Sequence, residues 1–101
     1  MNYNKLVRDR IPEIIAAQGE KPIVRVMDNR EYTIGLEKKL EEEVAEYLES
    51  KEIEELADVL EVLYALCEAQ GHSVDELRKV YEKKHAERGG FSKRILLLGK
   101  E

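Results

Sequence analysis

Glu43 and Glu46 stand three residues apart, and so do Glu55 and Asp58. Residues three apart share a face of a helix, so each pair sets two carboxylates side by side. Only Tyr47 to Glu54 lie between the pairs, a spacer short enough for a tight turn. Two antiparallel helices over Glu41–Asp58 would then gather four carboxylates. Four anions cannot stay close without a cation, and oxygen-only ligands suit a hard ion such as Mg²⁺. The plainer reading is a solvated acidic hairpin, and Glu42 and Glu49 fit that description.

The elements that must position these acids follow from the apolar period. Asp28 with Glu31 forms a capping-box pattern that starts a helix running to about Leu48 or Glu49. Its apolar residues Tyr32, Leu36, Leu40, Val44 and Tyr47 recur at helical spacing. At ~100° per residue, Glu43 falls in the middle of that stripe and Glu46 on its edge. A lone carboxylate on a buried face must be neutralised, paired or bound to metal. After a turn at Ser50–Glu52, a third helix is expected over Ile53–Gln70, stopping at Gly71. One of its stripes holds Ile53, Leu56, Ala57, Leu60, Leu63, Tyr64 and Cys67; another holds Glu55, Asp58, Val59, Val62, Ala65 and Leu66. Only Glu54, Glu61 and Glu68 make a polar strip. A helix apolar nearly all round is buried on several sides, which in so short a chain implies a partner subunit.

The flanks complete an all-α, four-helix core. A short first helix is expected from Pro12 to about Gln18, with Asp9 as its candidate cap and Gly19 as its stop. Ser73 and Glu76 form a second capping box, opening a helix to about Glu87 with Val74, Leu77, Val80 and Tyr81 on its apolar side. Gly89–Gly90 end it. Ile23, Val24 and Val26 suggest a short strand over 23–27, and Arg94–Leu98 a second, so a two-stranded element is expected to carry the C-terminus back across the domain.

The chain has 101 residues, 39% of them charged, and a net charge of −5. That length is one domain, 1–101, with a modest core of its own. The acidity disfavours nucleic-acid polymers and anionic membranes as partners. The cations lie at the two ends, in a basic–acidic–basic layout: Lys5, Arg8 and Arg10 at one, Lys83, Lys84, Arg88, Lys93 and Arg94 at the other. A fold that brings the ends onto the middle sets cations beside carboxylates, as a metal-bound polyphosphate requires. With one cysteine there is no internal disulfide, and no apolar run approaches the ~20 residues of a membrane span. The expected setting is cytoplasmic.

Other chemistries have less support. A carboxylate-bridged di-iron bundle needs a Glu-x-x-His on each of two helices, and Glu82–His85 is the only such pair. Ser50, Ser73 and Ser92 lack a His–acid context. Cys67 lies on an apolar stripe and reads as core. Tyr32, Tyr47, Tyr64 and Phe91 are candidates to stack on a base, but core is the simpler role for each.

Glu42-Glu43-x-x-Glu46 followed by Glu55-x-x-Asp58 resembles the EExxE…ExxD signature of the all-α nucleotide pyrophosphohydrolases, the MazG-type superfamily. Lys39-Leu40 before it and Val59-Leu60 after it also fit. The segments KLVRDRIPEII (Lys5–Ile15) and RGGFSKRI (Arg88–Ile95) resemble a branch of house-cleaning enzymes labelled phosphoribosyl-ATP pyrophosphohydrolase-like. The resemblance implies a helical core, a homodimer or homotetramer, and Mg²⁺-dependent cleavage between the α and β phosphates of a nucleotide, with Mn²⁺ as a substitute; the apolar third helix is the expected interface. It implies that Glu43, Glu46, Glu55 and Asp58 hold the metal, with Glu42 beside them. Glu46 or Glu42 would take the proton from water. Lys5, Arg8, Arg10, Lys39, Lys84, Arg88 and Arg94 are the candidates for the phosphates, Arg8 and Arg88 first because they lie within the matched segments. The spacer between the acid pairs is shorter than in many members of the superfamily, which leaves base specificity open. A phosphoribosyl-ATP pyrophosphohydrolase of histidine biosynthesis is the alternative within this chemistry. A noncatalytic helical module with a structural metal site is the alternative outside it.

Overall fold

The acids sit on an α-helical hairpin whose ends are fixed by local chemistry. The computed structural model describes residues 4–101 and contains α1 (Ile11–Ala17), α2 (Asn29–Ser50), α3 (Ile53–Ala69) and α4 (Val74–Arg88), with no strand among the described residues. The Asp28 carboxylate accepts from the Glu31 N–H at 2.9 Å, and the Glu31 carboxylate accepts from the Asp28 N–H at 3.3 Å. Ser73 and Glu76 repeat this box at the start of α4, at 3.1 and 3.2 Å. Between α2 and α3, Lys51 takes a left-handed conformation at φ 60° and its N–H donates to the Tyr47 carbonyl at 2.7 Å. That single left-handed residue reverses the chain within the few residues available.

α2 and α3 pack along their lengths, and α4 folds back on α3. Leu36 and Val62, at 3% and 6% exposed, form the closed centre of the hairpin. The α3 stripe carrying Glu55, Asp58, Val59, Val62, Ala65 and Leu66 faces inward, and all six are buried or half-buried. The other stripe is left uncovered, with Ile53, Leu56, Leu60 and Leu63 exposed. The chain's accessible surface is 9558 Å² and its radius of gyration 17.8 Å. A compact monomer of this size would have about 5,900 Å² and about 13 Å. No helix among the described residues is long and apolar enough to cross a membrane.

Several expectations need correction. The two-stranded element does not form: residues 23–27 and 94–98 adopt neither helix nor strand, and Ile23, Val26 and Ile95–Leu98 are exposed. An isolated two-stranded ribbon is marginal in water, and Pro22 and the left-handed Arg94 at φ 58° interrupt the segments that would pair. The cap of α1 is Arg10 rather than Asp9, with no side-chain cap bond. Phe91 is no core residue but lies 98% exposed, while Tyr32, Tyr47 and Tyr64 are half-buried. Val80 and Tyr81 on the expected apolar side of α4 are also exposed.

Candidate functional site

The centre of the site is Glu43. It projects from α2 between the two helices and is 7% exposed. Among the described residues its Oε2 has no hydrogen-bond partner. Carboxylate oxygens of Glu42, Glu43 and Glu46 lie within 4.8 Å of one another, and so do those of Glu43, Glu55 and Asp58. Glu43 thus belongs to two acid triads, one along α2 and one bridging α2 to α3. Glu55 and Asp58 are half-buried at the start of the inward stripe of α3, while Glu46 lies exposed at the rim. Burial pushes the Glu43 carboxyl above the usual carboxylate range. The neighbouring Glu46 carboxylate and repulsion from Asp58 push the same way, against the nearby Lys39.

Three of the seven sequence-predicted cations reach these acids. Lys39 lies 3.5 Å from both Glu42 and Glu43, at i,i+3 and i,i+4 on the same helix. Lys5 lies 3.5 Å from Glu42. Arg8 donates to Asp58 at 2.6 Å, with its other terminal nitrogen 3.8 Å from Glu61. The segment before α1 therefore lies along the acidic hairpin, with Leu6 and Met27 close to Gly35 of α2. A Cβ on Gly35 would meet Met27 Sδ at 3.4 Å and Leu6 Cβ at 3.7 Å. A bare helix face at that point lets the N-terminal segment come close enough to deliver Lys5 and Arg8.

The other four cations lie elsewhere. Arg10 pairs with Glu13 at 3.4 Å at the start of α1. Lys84, Arg88 and Arg94 make no ion pair among the described residues. Glu61, expected on the polar strip of α3, shares Arg8 with Asp58. Its i+3 spacing from Asp58 was the available signal. Cys67, half-buried, points its Sγ to the carbonyls of His72 and Ser73 at 3.7 and 3.3 Å and takes no part in the cluster.

No family model and no solved structure matches the chain. A protein of Mycolicibacterium smegmatis (strain ATCC 700084 / mc(2)155), described as an uncharacterized protein, is 55% identical over 42 residues. The match spans 42% of this chain and 43% of that protein, less than half the length of each.

Proposed function

We propose that this chain is a Mg²⁺-dependent nucleotide pyrophosphohydrolase, cleaving the bond between the α and β phosphates of a nucleoside triphosphate to give a nucleoside monophosphate and pyrophosphate. The observation that carries this reading is Glu43, a buried carboxylate with an unpartnered oxygen at the meeting point of two acid triads. An orphaned buried carboxylate oxygen among further carboxylates fits a bound cation, and an all-oxygen donor set fits a hard one. Glu43, Glu46, Glu55 and Asp58 would hold Mg²⁺, and Mn²⁺ accepts the same ligands. When bound, the ion supplies charge neutralisation and Lewis acidity at the phosphate oxygens.

The chain's own residues supply the rest. Glu42 is engaged by Lys5 and Lys39, whereas no cation among the described residues pairs with Glu46. Glu46 is therefore the freer acid at the rim, and we assign it as the base that takes the proton from the attacking water. The water oxygen bonds to phosphorus as the bond to the bridging oxygen breaks, and negative charge passes to the leaving group. Arg8, Lys5 and Lys39 line the same acids and can neutralise that charge. The exposed α3 stripe supports assembly as a homodimer or homotetramer through this helix.

Pyrophosphate release from a panel of canonical, modified and phosphoribosyl nucleotides tests the reading. Release should need Mg²⁺, stop with EDTA, and fall by roughly 10²-fold or more in Glu43→Gln, as for loss of a residue central to catalytic charge stabilisation. The preferred substrate separates a house-cleaning enzyme from a phosphoribosyl-ATP pyrophosphohydrolase. No release from any nucleotide by folded protein would overturn the proposal and leave a noncatalytic helical module.

A further inference from the structure

Among the apolar surfaces left uncovered, two lie where one chain does not bring them together. The first is the outer stripe of α3, Ile53, Leu56, Leu60 and Leu63. The second lies beyond α4. There Gly89 ends the helix at φ 76°, the Arg94 N–H donates to the Phe91 carbonyl at 3.0 Å, and Arg94 turns the chain at φ 58°. Ile95–Leu98 then run on as an arm, each residue 79–91% exposed. Four consecutive apolar side chains cannot all turn to one side of a non-helical segment, so covering them takes a surface that receives the arm along its length.

Area and charge both fit a second copy as that surface. The chain exposes about 3,700 Å² more than a compact monomer of its size. A standard interface takes about 800 Å² from each partner, and obligate homodimers take more. The arm and tail, residues 91–101, carry Lys93, Arg94 and Lys100 against Glu101. The hairpin segment 41–61 carries ten acids and one lysine. Among the described residues, the cations of the same chain reach Glu42, Glu43, Asp58 and Glu61, and none pairs with Glu46 or Glu55.

We propose that the arm Phe91–Leu98 of one copy docks on a second copy of this chain, laying Ile95–Leu98 on the outer stripe of α3 and carrying Lys93 and Arg94 to its acidic hairpin. The exchange is reciprocal in a two-fold dimer, so each copy covers its partner's helix. It gives Arg94 a place beside acids, where among the described residues of its own chain it has no ion pair. A role for Arg94 toward phosphate rests on the pyrophosphohydrolase reading; the docking does not.

The test uses the full chain. In an equimolar mixture of methyl-labelled and unlabelled protein, isotope-filtered NOE spectra should connect Ile95–Leu98 methyls to Leu56, Leu60 or Leu63 of the other copy. Leu96→Glu with Leu98→Glu should raise the dimer dissociation constant at least tenfold by sedimentation, with helical circular dichroism unchanged, since neither residue lies in a helix. A monomeric wild type, arm methyls without cross-copy contacts to α3, or a dissociation constant moved less than twofold would overturn the proposal. Pyrophosphate release is scored separately. Cross-copy contacts without release would remove the function and leave the docking, and release without those contacts would do the reverse.

Discussion

Replacing Glu43 by Gln should make the metal-free protein more stable and abolish its response to Mg²⁺. Glu43 is buried with Oε2 unpartnered, and such an orphan costs about 1–3 kcal/mol. Gln keeps the shape, removes the charge, and offers an amide N–H₂ that can donate to the Glu46 carboxylate. The substitution also loses the 3.5 Å pair with Lys39, but Lys39 keeps Glu42 at 3.5 Å. That loss is worth less than about 1 kcal/mol, so the gain prevails. In EDTA at pH 7 the variant should melt higher, by about 4–8 °C for each kcal/mol in a domain of this size. Magnesium should reverse the order. Wild type gains about 2.7 kcal/mol when Mg²⁺ reaches 100 times its dissociation constant, while the variant stays flat, so the two melting curves cross. The pH dependence has a definite sign. The folded Glu43 pKa lies above its ordinary value of 4.5, so below that value both states are protonated and wild type suffers no charge penalty. As pH rises through the folded pKa, wild type loses stability relative to the variant and then levels off. Thermal melts at one chain concentration, with Mg²⁺ and pH varied, measure all of this. A variant that melts below wild type in EDTA, or that gains as much from Mg²⁺, would refute the assignment of Glu43 as a buried, metal-seeking carboxylate.

Gly35→Ala should be accepted and stabilise α2 by about 0.5–1 kcal/mol in thermal melts, because the added carbon meets its neighbours at ordinary contact distances. Gly35→Leu should instead expel the segment carrying Leu6, giving on the order of tenfold faster trypsin cleavage after Arg8 through local opening; an unchanged rate would mean that this glycine does not seat it. The Arg25 guanidinium grips Glu31 at 2.9 and 2.6 Å and holds its carboxyl at about 2. This contribution is therefore complete above the ordinary value of 4.5 and lost as pH falls from there toward 2; a Glu31 ¹³C carboxyl titration near 4.5 in wild type, or one that Arg25→Ala does not raise, would contradict it.

What could be read in advance was what depends on neighbours in sequence. The capping boxes at Asp28–Glu31 and Ser73–Glu76 lie within four residues, so the starts of α2 and α4 were legible. The inward turn of Glu43 followed from its place among Leu36, Leu40, Val44 and Tyr47. The facing of Glu55 and Asp58 followed from the stripe they share with Val59 and Val62. The strand expected over 23–27 does not form because Ile23, Val24 and Val26 state a preference that only a partner can realise. Nothing local specifies that Ile95–Leu98 will miss them. Arg8 reaches across fifty positions to Asp58, and its pairing depends on how the N-terminal segment crosses Gly35, a tertiary fact with no periodic trace.

The two stripes of α3 divide its work. Asp58 and Val62 are one turn apart on the inward stripe, so the residue that seals the hairpin also fixes the depth of the acids. Enlarging the centre at Val62 would push α2 and α3 apart and separate Glu43 from Glu55 and Asp58, which now lie within 4.8 Å. Leu60 and Leu63 are on the opposite side, where a substitution leaves that spacing untouched. Damage at Val62 should therefore act on the acid cluster, whereas damage at Leu60 or Leu63 should spare it. The distinction follows from the ~100° step of the helix, which places these adjacent residues on different surfaces.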